Sequence, residues 1–254
     1  MTWDPSTYLS FNAERTRPAL ELATRVALTN PRLVVDLGCG PGNSTAILAH
    51  RWPAAQIVGV DNSAEMLATA RATPIRASWQ LGDLRDWTTS ELASLIFSNA
   101  AYQWVDNHAG IFPRLMSLLE PKGVLAIQMP RNFDAPSHVL LRETANEPRW
   151  SSKVAHLARI KPVAEPAAYY EMLAPRASSI DIWETEYQQA LDGEDAVFKW
   201  VSGTALVPFV AALDDEDRKE FLNAYRSRLA LAYPRQSNGK TLFPFKRIFI
   251  VATR

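Results

Sequence analysis

The sequence predicts an α/β chain built on a doubly wound, mostly parallel sheet. Three observations lead there. A short apolar run, Leu33 to Leu37, enters glycines at every second position, Gly38, Gly40 and Gly42, and then a helix signal. Apolar, strand-like runs alternate with helical patterns as far as residue 147. The chain, at 254 residues, is long enough to bury a large core, and it carries no repeats and no low-complexity tracts. Strands alternating with helices give a parallel sheet covered on both faces.

In order, residues 3–12 read as an irregular aromatic arm with Trp3, Tyr8 and Phe11. A helix is expected over 13–27, with Ala19, Leu20, Leu22, Ala23 and Val26 as its apolar stripe and Pro18 as a bend or start. The first strand, 33–37, suits burial on both faces. Its glycines permit positive φ and close approach of a ligand to the backbone. Asn43 or Ser44 caps the helix that follows. Gln56–Asp61 is the second strand, and Asp61 comes nineteen residues after Gly42, near the ~20-residue interval at which an acid reaches a ribose. Asn62 and Ser63 can cap helix 63–72, which carries Met66. Arg76–Leu81 is the third strand, ending in Gly82-Asp83-Leu84. There the Asp83 side chain can accept from an adenine amino group while the Leu84 amide meets a ring nitrogen.

Leu92–Ser98 is the fourth strand and opens into Asn99-Ala100-Ala101-Tyr102-Gln103-Trp104, beside the first strand at the switch point of the sheet. Helix 107–119, a turn at Glu120-Pro121-Lys122-Gly123, a fifth strand over Val124–Met129 and helix 136–147 follow. Residues 148–166 are less regular. A short helix is expected at 169–173, an alternating strand at Ile180–Tyr187, helices at 194–203 and 214–232, and a last strand at Lys246–Ala252 that can hairpin onto 180–187 as the antiparallel edge. The tally is seven strands in one domain, with 1–28 as arm and helix and 148–240 including a helical cap.

Lys+Arg and Asp+Glu both number 27, which argues against a nucleic-acid or anionic-membrane binder. Cys39 is the single cysteine, so intrachain disulfides and cysteine metal clusters are excluded. The amino-terminal residues lack a signal-peptide pattern, and no window approaches ~18 uncharged apolar residues. A cytoplasmic monomer or weak homodimer is expected. Four scattered histidines show no metal-ligand spacing and no nucleophile–base pairing.

A dinucleotide loop wants a small residue where this chain has Asn43. The string Asp36-Leu37-Gly38-Cys39-Gly40-Pro41-Gly42 instead resembles the first motif of class I S-adenosylmethionine-dependent methyltransferases, which have a Rossmann-like sheet. Asp61 and Asp83 extend that likeness. Nearer still is the trans-aconitate 2-methyltransferase family. The chain is similar to it at Tyr8-Leu9, Glu14 to Pro18, Gly40 to Thr45, Phe97 to Trp104, Val124 to Pro130, Ala168-Tyr169-Tyr170 and Phe249 to Ala252.

The resemblance implies methyl transfer from S-adenosylmethionine to a carboxylate of a tricarboxylic acid, giving a monomethyl ester and S-adenosylhomocysteine. A carboxylate, with a pKa near ~4, is already ionised at neutral pH, so no general base is expected. Cofactor contacts are expected from Gly38, Cys39, Gly40, Asp61, Asn62, Met66, Asp83, Leu84, Asn99 and Arg15. Substrate contacts are expected from Arg131 and Arg17, whose guanidinium forks suit carboxylates, and from Trp104, Tyr170 and Tyr8, which exclude water. The alternatives are the same donor with a quinone precursor or another acid, a methyltransferase of RNA or protein, a dinucleotide oxidoreductase, and a binding module without turnover. Alanines stand where amine and base methyltransferases carry prolines after their Asn, which counts against an amine or nucleic-acid acceptor.

Overall fold

A computed structural model describes residues 13–158, 163–203 and 205–254, without the side chains of residues 13–15. The aromatic arm, with Tyr8, lies outside the described residues, as does the Arg15 side chain. The chain forms two compact units. The first comprises Met1–Pro130, Ala164–Thr185 and Ile248–Arg254; the second comprises Arg131–Val163 and Glu186–Arg247. The sequence reading has a helical cap within 148–240, a range that takes in Ala164–Thr185 of the first unit and does not reach Arg131–Glu147 of the second.

The elements in chain order are α1 (Ala13–Arg25), β1 (Leu33–Leu37), α2 (Asn43–Arg51), β2 (Gln56–Asp61), α3 (Ala64–Arg71), β3 (Ser78–Leu81), β4 (Ala93–Asn99), α4 (His108–Ser117) and β5 (Leu119–Pro130). Then come α5 (Pro136–Ala145), α6 (Ser151–Val154), α7 (Pro166–Leu173), β6 (Ser179–Leu191), α8 (Ala196–Ser202), α9 (Val207–Ala212), α10 (Asp215–Ala232) and β7 (Thr241–Thr253). The seven strands lie in the order β3-β2-β1-β4-β5-β7-β6. β1 is wholly buried, as are Ala93–Ser98 of β4 and Val124–Met129 of β5. β2, β1, β4 and β5 run parallel, with Leu37 facing Val60, Asp36 facing Phe97, and Asn99 facing Gln128. The strand order reverses at β1, between β2 and β4, so the ends of β1 and β4 open the crevice where such sheets bind ligands.

Three departures from the sequence reading have physical causes. β5 starts at Leu119 and absorbs Glu120-Pro121-Lys122-Gly123. Lys122 takes φ 68°, and the pairing with β4 shifts register between Ala93 and Leu95, so the turn signal becomes a bulge. β7 runs antiparallel to β5, with the Lys122 N–H on the Arg254 carbonyl and the Arg131 N–H on the Lys246 carbonyl. It lies beside β6, as the expected hairpin onto 180–187 requires, but on the inner side, between β5 and β6, so that β6 is outermost. Two short helices, α6 and α9, stand where none was expected; Pro208 sits in the first turn of α9, where it forfeits no helical bond.

The second unit has its own core, made by Trp150, Val197, Phe209, Phe221, Tyr225, Leu229 and Phe243 among others. Trp150 meets Phe221 edge to face at 5.4 Å. The Tyr225 hydroxyl donates to the Ser137 carbonyl at 2.7 Å, and the Tyr233 hydroxyl accepts from the Ser137 N–H at 3.0 Å. These two bonds tie α10 and the residue after it to the first turn of α5.

Candidate active site

The glycine loop leaves β1 with Gly38, Gly40 and Gly42 all at positive φ, 75°, 53° and 95°. Their surroundings differ. A methyl on Gly38 would sit 2.3 Å from the Ala101 Cβ, and one on Gly42 would meet the Trp79 ring at 2.9 Å. A methyl on Gly40 would meet nothing within 4 Å. Gly38 and Gly42 are therefore glycines because the protein packs on them, and Gly40 presents open backbone.

Asp61 joins this loop to the end of β2. Its Oδ2 accepts from the Gly40 N–H at 2.9 Å and its Oδ1 from the Ser63 N–H at 2.9 Å. Each oxygen keeps a further lone pair, and the side chain is half-buried, so a pair of vicinal hydroxyls fits it. Helix α3 is capped by Ser63, whose hydroxyl accepts from the Met66 N–H, so Asp61 is not consumed as its N-cap. Asn62 and Met66 are exposed beside it.

Behind the loop, Asp36 is fully buried. Its Oδ2 accepts from Ser44 Oγ at 2.7 Å and Thr45 Oγ1 at 2.6 Å, while its Oδ1 has no hydrogen-bond partner. Burial pushes the carboxyl up to about 6, against the pull of those two hydroxyls. Cys39 is buried, and desolvation with the nearby Asp36 and Asp61 charges pushes its thiol well up, out of the nucleophilic range.

Asp83 is held by Arg85, with Nε at 2.9 Å from Oδ1 and Nη2 at 2.5 Å from Oδ2. Those hydrogen bonds bring Asp83 down to about 2. The adjacent Leu84 is buried against Gly38. At the end of β4, Ala100 takes φ 55°, its N–H donating to the Gln128 carbonyl and its carbonyl accepting from Gln103 Nε2 at 2.7 Å. Asn99 Oδ1 is buried there without a hydrogen-bond partner.

His108 lies beneath this corner. Nε2 must donate, since the Tyr102 carbonyl at 2.8 Å only accepts; Nδ1 therefore accepts from the Tyr169 hydroxyl at 2.9 Å. Burial lowers the imidazole from its ordinary range. Both ring nitrogens are occupied, so His108 is a brace between α4 and α7. Of the paired tyrosines, Tyr169 is buried and Tyr170 is 56% exposed; Trp104 is 63% exposed. Arg17 bonds Glu21 at 2.7 Å on its own helix. Arg131 belongs to the second unit and lines a cleft there. Among the described residues, no group of three or more His, Cys, Asp or Glu could hold a metal ion, and no helix is long and apolar enough to cross a membrane.

An adenosyl cofactor fits these residues. Open backbone at Gly40, unused lone pairs on Asp61, the orphan Asn99 oxygen and exposed Met66 offer partners for a sugar, an amine and an apolar ring edge. Residues 34–123 match the family model described as a methyltransferase domain. The chain is 48% identical to trans-aconitate 2-methyltransferase of Azoarcus sp. strain BH72, covering 100% of this chain and 99% of that one. It is 46% identical to the enzyme of the same name from Escherichia fergusonii, covering 99% and 98%. The chain belongs to the trans-aconitate 2-methyltransferase family.

Solved structures agree on the fold alone. YcgJ of Bacillus subtilis aligns at TM-score 0.58 and 16% identity, covering 92% of this chain and 96% of that one. Phosphoethanolamine N-methyltransferase 2 of Haemonchus contortus, in complex with S-adenosyl-L-methionine, aligns at 0.53 and 17% identity, covering 94% and 52%. For this member of the trans-aconitate 2-methyltransferase family, sequence reasoning missed Ser44 and Thr45 as partners of Asp36, and Ala101 as the wall behind Gly38. The small residues at 100 and 101 were the only sequence signal for the second.

Proposed function

We propose that this protein transfers a methyl group from S-adenosylmethionine to a carboxylate of trans-aconitate, forming the monomethyl ester. The observation that carries the reading is full-length identity of 44–48% to several relatives of that name, on a loop with the open Gly40 backbone and Asp61 beside it. Bound S-adenosylmethionine supplies an electrophilic sulfonium methyl. In this reading Gly38, Cys39 and Gly40 line the cofactor with main chain, Asp61 accepts from the ribose hydroxyls, and Asn62, Met66, Asp83 and Leu84 surround the base. Asn99 accepts from the amino group, and Arg15 pairs with the carboxylate.

The chemistry asks for no general base, because the acceptor is ionised at neutral pH. His108 has both nitrogens engaged, the Cys39 thiol is protonated, and Asp36 is sealed behind the loop. The protein's work is then orientation and exclusion of water, and orientation alone can supply roughly 7–11 kcal/mol. Arg131 and Arg17 hold unreacting carboxylates, and Trp104, Tyr170 and Tyr8 keep water out. A cytoplasmic monomer or weak homodimer acting on this small acid, with no nucleic-acid partner, completes the reading.

The test is incubation of the purified protein with S-adenosylmethionine and a panel of acids, phenols and amines, read by mass spectrometry. A product one methylene heavier than trans-aconitate, labile to base as an ester is, supports the reading. Turnover only with a phenol, an amine or RNA overturns it.

A further inference from the structure

The second unit contains a cleft of about 540 Å³ lined entirely by its own residues. Its floor is the chain just past β5 and the facing part of β7. Asn132 is 5% exposed, lines the cleft, and its Nδ2 donor has no hydrogen-bond partner. A buried amide donor left unmatched is destabilising by about 1–3 kcal/mol, so it marks a place where an acceptor is wanted. Arg131 and Lys246, both half-buried, line the cleft with Asn132. The Arg131 N–H donates to the Lys246 carbonyl at 2.9 Å, which brings two positive charges to bonded positions of adjacent segments. The first turn of α5 also borders the cleft, and a helix start favours negative charge.

Two carboxylates, Asp134 and Glu186, line the same space. Both are exposed, and Glu186 accepts from Gln188 Nε2 at 2.7 Å, so the acids are at the rim while the donors are deeper. A ligand with carboxylates at its inner end and limited total charge matches that arrangement.

We propose that this cleft is a carboxylate-binding site of the second unit, in which Asn132 Nδ2, the Arg131 guanidinium and the Lys246 ammonium hold the carboxylates of a tricarboxylic acid. The proposal rests on the acceptor reading above for its choice of acid. The test titrates trans-aconitate into the protein saturated with S-adenosylhomocysteine, by calorimetry, for the wild type, Asn132→Asp and Lys246→Met. Each variant loses roughly tenfold or more in trans-aconitate affinity, as expected for a charge-assisted bond, and keeps its affinity for S-adenosylhomocysteine. Trans-aconitate binding unchanged in Lys246→Met overturns the site, and that variant carries the test if Asn132→Asp does not fold. The two failures separate cleanly. A wild type that neither binds nor methylates trans-aconitate sinks the acceptor reading; a wild type that methylates it, with variants that bind it normally, sinks the cleft alone.

Discussion

Gly38 and Gly40 are two residues apart in one loop and meet opposite surroundings, which makes them a controlled pair. Gly38→Ala adds a collision with Ala101 to the strain of positive φ, roughly 1–2 kcal/mol for the backbone and about 1–3 for overpacking. Gly40→Ala carries only the backbone part. Thermal melting therefore drops sharply in the first and slightly in the second, while S-adenosylhomocysteine affinity falls in both. Asp36 makes a pH prediction. Its folded pKa, about 6, lies above its ordinary 3.8, so its stabilisation is complete below about pH 4 and is lost as pH rises through about 6. His138, pushed down to about 4 by burial, acts oppositely, its contribution lost as pH falls through about 4. The melting temperature of Asp36→Asn minus that of the wild type isolates the carboxyl, and it rises from pH 4 to pH 7. The glycine spacing was legible in the sequence because a sharp turn through positive φ selects glycine, and the Asp61 interval because it returns that carboxylate to the Gly40 N–H. The role of Ser44 and Thr45 was not, since a buried carboxyl and its hydroxyls look like any helix start until burial is known.

Among elements, α7 shows how a short helix gains its place. The Ala164 N–H donates to the Tyr169 hydroxyl, that hydroxyl donates to His108 Nδ1, and His108 Nε2 donates to the Tyr102 carbonyl. Phe112 stacks on both His108, at 4.7 Å, and Tyr169, at 5.6 Å. Tyr169→Phe keeps the stack and strands two polar groups, so a loss of about 1–3 kcal/mol is expected. In a chain of this size that lowers the melting temperature by about 2–4 °C per kcal/mol. A melting curve that overlays the wild type refutes the brace. The two central strands β1 and β4 could be read from the sequence because burial on both faces favours largely apolar runs. The extent of β5 could not, because Pro121 and Gly123 signal a turn locally and only pairing across the sheet makes them a bulge. Nor could the seat of β7, since a strand's neighbours are chosen by tertiary packing.

At the scale of the molecule, the chain passes between its two units four times, at 130/131, 163/164, 185/186 and 247/248. Two of those passages fall inside β6 and β7, so the second unit cannot melt without releasing strand pairs of the sheet. A single calorimetric transition is the expectation, and Phe221→Ala, which opens the core of the second unit at a cost of about 3–5 kcal/mol, shifts that one transition as a whole. Two resolved peaks would mean the units unfold independently. The contact between Gly38 and Ala101 has a further consequence for anyone altering this enzyme. The two positions, sixty-three residues apart, draw on one small allotment of space. They are not independent variables: widening the side chain at either forces the other to stay minimal, so a library varied at both returns survivors as matched pairs.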